Sequence, residues 1–146
     1  MWGLKPGGRM DHIAKLERYQ PTVLSILRIV AGLLFLQHGL QKWFGIPAAN
    51  PAYANIQLFT MIGIAGVIEI TCGFLVTIGL FTRYAAHIAS GEMAVAYFFY
   101  AKRLTRGFAP IVNGGNLEVI YCFVFLYIAC AGAGVWSLDA LWRKKP

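Results

Sequence analysis

Two glutamates stand alone in long apolar stretches of this chain. Glu69 lies in GVIEITCGFLVTIGL (66–80) and Glu92 in GEMAVAYFF (91–99). A tight turn at Gly79–Arg83 separates the two stretches, with Glu69 ten residues before Gly79 and Glu92 ten residues after Thr82. At a helical rise of 1.5 Å per residue both acids sit ~15 Å from that turn, close to the midplane of a hydrocarbon layer ~30 Å thick. Acids at that depth are costly in lipid and are functional candidates by default.

Their counter-charges are expected on the first apolar run. Arg28, Gly32, Phe35, Gly39 and Lys42 fall within about 40° of one line at 100° per residue, and His38 lies about 40° beyond Lys42. This polar, small-residue stripe should face other helices, since lipid rejects a cation such as Arg28. The polar residues then divide into two tiers. Arg28, Glu69 and Glu92 form the inner one; His38, Lys42, Asn113, Asn116 and Glu118 form the outer one. The formal charges cancel if His38 is protonated. Alternatively, one of the two mid-depth glutamates keeps its proton. Either state allows proton exchange between His38 and a carboxyl.

Taken singly, each residue has a plainer reading. Arg28 would fix register through an ion pair, His38 would be a satisfied interior histidine, and Glu118 would favour a helix N-terminus. Taken together on facing stripes, they outline a pocket. His38, Glu69 and Glu92 are the candidates for acid–base work in it. Arg28, Lys42, Asn113 and Glu118 are the candidates for ligand binding. No metal site is expected.

The elements that must position these groups are apolar helices. The chain has 146 residues, of which 58% are hydrophobic, and its charges lie outside or between long apolar runs. That pattern predicts an all-α, polytopic membrane protein built as a four-transmembrane-helix bundle. The helices are expected at Thr22–Phe44, Ile56–Leu80, Tyr84–Tyr100 and Leu117–Val135. A basic segment (1–21) precedes the transmembrane domain (22–142), and a basic tail (143–146) follows it. Asp11–Tyr19 is expected to lie along the membrane surface, and the first apolar run is too long for a signal peptide. The net charge of +7 does not point to nucleic acid, because basic residues at helix flanks set topology. Lys5, Arg9, Lys15, Arg18, Arg83 and Arg143–Lys145 share one side. Lys42, Lys102, Arg103 and Arg106 share the other. The excess places both termini in the cytoplasm. Cys72, Cys122 and Cys130 lie inside helices with no C-x-x-C spacing. They read as small packing residues, with a redox dithiol or disulfide the lesser alternative.

In order and spacing, LRIVAGLLFLQHGLQKWFG (27–45), GVIEITCGFLVTIGLFTRYAA (66–86), GEMAVAYFF (91–99), NGGNLEVIYCFVFL (113–126) and GVWSLDAL (134–141) resemble the DoxX family of small membrane proteins. The resemblance covers about Leu24 to Leu141. One departure is that Asn116 stands where such proteins often carry an acid, with Glu118 two residues later. The resemblance implies a multi-pass protein of the prokaryotic plasma (inner) membrane. Family members are similar to the membrane subunit of a thiosulfate:quinone oxidoreductase, and others are linked to thiol redox balance.

Three functions follow as expectations. The first is a redox-associated membrane subunit whose pocket takes a quinone or a similar small ligand. The sequence has no haem attachment motif, cysteine cluster or dinucleotide-binding motif, so no covalently bound cofactor is expected. A soluble or membrane redox partner, or a diffusible reductant, would supply electrons. The second is a small proton-coupled transporter or channel, which four short helices would serve best as a homo-oligomer. The third is a membrane anchor or assembly subunit without chemistry. The partner common to all three is the lipid bilayer.

Overall fold

A computed structural model of the chain describes residues 15–99 and 104–143. Lys5, Arg9, Lys102, Arg103 and the tail residues Lys144 and Lys145 lie outside the described residues. So do the first four residues (11–14) of the expected surface helix Asp11–Tyr19, of which residues 15–19 are described and exposed.

Every regular element among the described residues is helical. The longest is α1, Gln20–Phe44, whose first turn carries Pro21, where a missing N–H costs nothing. Its end is set by Gly45, at a φ of +67°, whose N–H reaches back to the Gln41 carbonyl while the Ile46 N–H reaches that of Leu40. Helix α2 is Met61–Ile78, five residues shorter at its start than the apolar run suggests. The cause is Thr60, whose hydroxyl accepts from the Gly63 N–H at 3.1 Å, a side-chain cap that fixes where the helix begins. Residues 51–53 form a 3₁₀ turn ahead of it.

Gly79 (φ +72°) and Phe81 (φ +48°) turn the chain back into α3, Thr82–Phe99. After a single turn at Pro110–Asn113, helix α4 runs Asn116–Ala131. Gly115 occupies its N-cap position. It stops four residues before the expected Val135, because Gly132 (φ +97°) and Gly134 (φ +74°) adopt backbone that a helix cannot continue. A last helix, α5, Leu138–Arg143, was not evident in the sequence.

Helices α1 and α2 pack most extensively, then α3 and α4; α2 and α3 touch less. Close approach of α1 to α2 depends on glycine. A methyl group on Gly39 would lie 2.7 Å from the Gly66 carbonyl oxygen and 2.8 Å from the Ile70 nitrogen. One on Gly73 would lie 2.6 Å from the Leu36 nitrogen. Both encounters are with backbone, so the helices would have to separate. Small residues of this kind allow tight helix contact where lipid supplies no hydrophobic drive.

The centre is filled by Phe35, Val76, Ala86, Ala89, Phe125 and Ile128. Outside it, Val23, Val30, Leu33, Ile64, Phe74, Ile88 and Phe123 are exposed. A soluble helical domain shows polar residues on that face; here the helices turn large apolar side chains outward. Helices α1 and α2 are each long and apolar enough to cross a membrane.

Gly39→Ala and Gly91→Ala form a matched test. Gly91 has open space around the added methyl, and alanine there should stabilise by about 0.5–1 kcal/mol through helix propensity. The same change at Gly39 should destabilise by about 1–3 kcal/mol through overpacking. Apparent Tm values of the two variants in one detergent give the comparison; equal shifts would remove the close-packed seam.

Candidate functional site

The two glutamates do come to one place. A cavity of about 960 Å³ lies between the helices on the side away from the Gly79 turn. His38 and Lys42 of α1, Glu69 of α2, Glu92 of α3, and Glu118 and Tyr121 of α4 all line it. The two tiers read from the sequence merge because Lys42 extends down to the level of Glu69. Its Nζ donates to both carboxylate oxygens of Glu69 at 2.5 Å, with the Lys42 and Glu69 side chains 13% and 3% exposed. A bidentate pair this dry is bound tightly by its own geometry, and loss of either partner strands the other.

Glu92 is different. Its Oε2 is buried and has no hydrogen-bond partner, although Glu69, Lys42 and Glu118 all lie within electrostatic range. Buried polar atoms are almost always satisfied by protein or water, so an orphaned oxygen beside a cavity marks a place for a hydrogen-bonding guest. His38 sits edge-on to Tyr121, with ring centroids 6.2 Å apart, and in electrostatic range of Lys42 and Glu118. The remaining wall is apolar and aromatic. Phe35 meets Tyr121 and Phe125 at centroid distances of 5.9 and 4.8 Å.

Two expected site residues are elsewhere. Arg28, grouped with Glu69 and Glu92 in the inner tier, does not meet them. It is fully buried, but at the opposite end, where it donates only to backbone carbonyls. Nε reaches Ala133 O at 2.7 Å, Nη1 reaches Thr77 O at 2.6 Å and Val76 O, and Nη2 reaches Trp136 O. The reason is local: the last carbonyls of α2 have no helical partners, and a guanidinium carries enough donors in one plane to take several at once. Asn113 is also turned away from the cavity. Its Nδ2 donates to Gly107 O at 3.0 Å and to the Tyr97 hydroxyl at 3.3 Å, and its Oδ1 accepts from Gly115 N–H at 2.8 Å. It closes the loop before α4 and has no donor left for a ligand.

Sequence reasoning missed two residues. Tyr121 lies in the apolar run of α4 and was read as part of that helix. Asp139 accepts from the N–H groups of Phe81 and Thr82, both at 2.9 Å, and so caps α3 from 57 residues away. Its only signal was an acid in a short, otherwise apolar segment, GVWSLDAL. His87 is exposed. The three cysteines are free, with Cys72 buried, Cys122 half-buried and Cys130 exposed.

Known proteins bear on this arrangement. A Haemophilus influenzae protein named only as uncharacterized is 43% identical over 131 residues, which cover 89% of this chain and 98% of that relative. An uncharacterized membrane protein of Mycobacterium tuberculosis is 30% identical, covering 86% of this chain and 83% of its own. A Bacillus subtilis protein named "Putative oxidoreductase CatD" is 24% identical over 115 residues, covering 78% and 82%. No solved structure matches the chain. The DoxX family model matches residues 23–102, more than half of the sequence, and it spans α1, α2 and α3 with His38, Lys42, Glu69 and Glu92 among them: the chain belongs to the DoxX family, a family of membrane proteins.

Proposed function

We propose that this chain is a redox-associated subunit of a prokaryotic plasma membrane, crossing it four times with both termini in the cytoplasm, and that its cavity takes a quinone. The observation that carries this reading is the buried, unpartnered Oε2 of Glu92 in a cavity whose wall beyond the charged residues is apolar and aromatic. Aromatic walls suit a planar ring. Glu92 and His38 are placed to exchange protons with the ring oxygens, while the Lys42–Glu69 pair holds the floor of the cavity in place. Reduction of a quinone to its quinol takes up two electrons and two protons. Glu92 and His38 would pass the protons; a thiol or sulfur reductant, free or on a partner protein, would supply the electrons and be oxidised. Support from relatives is limited to the name carried by the Bacillus subtilis protein.

The test is binding of a short-chain ubiquinone to the purified protein in lipid nanodiscs, followed by equilibrium partition. Saturable binding is expected, weakened about tenfold by Glu92→Gln, which corresponds to about 1.4 kcal/mol. No saturable binding to the unaltered protein would end the quinone reading. The orphaned carboxyl oxygen also favours a second reading, a proton-coupled transporter. Proton flux in liposomes that vanishes in the Glu69→Gln/Glu92→Gln double variant would support that instead. Loss of partner recovery alone, with neither binding nor flux, would leave an assembly subunit.

A further inference from the structure

We infer that the cavity opens sideways into the lipid, through the seam between α2 and α3, and that its ligand is an amphiphile dissolved in the bilayer. This rests on the reading of the cavity as an intramembrane ligand site, but it concerns the route and the ligand's physical form.

Side-chain contacts bridge three of the four seams around the cavity. Gly39 and Gly66 bring α1 onto α2, and the Lys42–Glu69 pair ties the same two helices at cavity level. Between α1 and α4, Phe35, Tyr121 and Phe125 are in ring contact and all buried. Between α3 and α4, Ala85, Ala86 and Ala89 pack into the core with Phe125 and Ile128, and the Ser90 hydroxyl donates to Cys122 O at 2.8 Å.

The α2–α3 seam is built differently. The turn at Gly79 and Phe81 joins these helices at one end, and Asp139 locks that turn by bonding both sides of it. Along their length these two helices pack less than α1 with α2 or α3 with α4. There the cavity is lined by Ile64 and Ala65 of α2 and by Ile88, Val95 and Ala96 of α3. Ile64, Ile88 and Val95 are each about half exposed (48%, 52% and 47%) on the outward surface of the protein. The same residues therefore belong to the cavity wall and to the lipid-facing surface. At the end away from the turn, Tyr53 of the 51–53 turn is half-buried and lines the cavity, so part of that loop lies over this end.

A ligand that uses this seam would leave an apolar tail among Ile64, Ile88 and Val95 and present a polar head to Glu92 Oε2. A water-dissolved ion or sugar fits neither part. The wall outside the head site is aliphatic, and such surface gains from an apolar tail at roughly 25 cal/mol per Å² buried.

Spin labelling in bilayers tests the route without any ligand. The background carries Cys72→Ala, Cys122→Ala and Cys130→Ala (Cys72→Ser if yield falls). Labels go at Ile68→Cys and Ala96→Cys in the half-buried cavity wall, with Val30→Cys on the outward face of α1 as a lipid-exposed control. Oxygen partitions into lipid, whereas a nickel chelate stays in water. Collision rates with oxygen at 68 and 96 should approach those at 30 and exceed those with the nickel chelate by about tenfold. Higher nickel than oxygen accessibility would show an aqueous mouth and overturn the proposal. Low accessibility to both would show a sealed cavity and also overturn it.

A second arm narrows the seam with Ala65→Phe and Ala96→Phe together. Uptake of a long-tailed ubiquinone from nanodisc lipid should slow at least tenfold, with the apparent Tm within a few degrees of the unaltered protein. Unchanged uptake would overturn the lateral route. The two readings fail separately. Oxygen-accessible labels without quinone binding would keep the portal and remove the quinone. Quinone binding with nickel-accessible labels would do the reverse.

Discussion

Arg28→Met unfolds the end of the protein remote from the cavity, and it is expected to be the most destabilising single change in the chain. The guanidinium is fully buried and serves four carbonyls: Val76 and Thr77 at the end of α2, and Ala133 and Trp136 in the segment that leads to α5. Hydrogen bonds to a charged group contribute about 1.5–3 kcal/mol each. They do not add, because relaxation and water recover part of the loss. A net cost of about 3–5 kcal/mol is the reasonable expectation for breaking a buried network of this kind. At about 2–4 °C per kcal/mol for a chain of this size, the apparent Tm should fall by roughly 10 °C. Methionine matches the stem of arginine and removes only the donors, so the loss reports on capping.

Arg28→Lys sharpens the result. An ammonium is a compact donor that cannot span carbonyls on two separate segments in one plane. Lysine should therefore recover less than half of the stability. The same change leaves the cavity intact, so ligand affinity in the folded fraction should not move. Full rescue by lysine, or a tenfold loss of affinity at unchanged Tm, would return Arg28 to the ligand site. Arg83 provides a milder comparison: its Nη1 donates to Ala129 O and Cys130 O at 2.9 and 2.6 Å, but it is exposed. Water replaces those bonds, and Arg83→Met should cost far less.

The second large effect is expected at Lys42. Lys42→Met leaves Glu69, at 3% exposure, without its partner. Removing one member of a buried pair typically costs about 3–5 kcal/mol, whereas replacing both with apolar groups of similar size is often neutral or stabilising. Three variants therefore have a definite order. Lys42→Met should be least stable, Glu69→Leu intermediate because Lys42 can extend its ammonium toward the interface, and the Lys42→Met/Glu69→Leu double variant close to the unaltered protein. Thermal unfolding of all four proteins in one detergent gives a double-mutant cycle, with a coupling of about 2–4 kcal/mol expected. A double variant as unstable as Lys42→Met would mean that Glu69 has another essential partner. If the pair only holds the floor of the cavity, the double variant keeps its stability and still binds ligand. If Glu69 carries protons, binding survives and turnover does not.

The cavity and the cap illustrate what can be read from a linear sequence. The apolar runs determined the helices, and the 3.6-residue period determined their inward faces. Arg28, Gly32, Phe35 and Gly39 were placed on one stripe and are all buried. Gly63, Gly66, Glu69 and Gly73 likewise share the buried side of α2. Helix ends were less legible. Thr60 and Gly132 shorten α2 and α4 through a hydroxyl cap and a positive φ, and both effects depend on one residue against a long apolar background that continues past it.

That Glu69 and Glu92 lie equally far from the turn was a matter of counting from Gly79 and Thr82, and both line one cavity because both arms leave that turn. Which cation answers them was not countable. Arg28 and Lys42 lie on the same stripe of α1, separated by nearly four helical turns, and charge balance permits either. Only the tertiary structure decides, through the offset of α1 along α2. That offset is set by backbone contact of Gly39 with Gly66 and of Gly73 with Leu36, which puts Lys42 within reach of Glu69 and leaves Arg28 beside the open carbonyls of Val76 and Thr77. The sequence determined that charges would be buried; the register of two helices, fixed by where glycines let backbones touch, determined which of them meet.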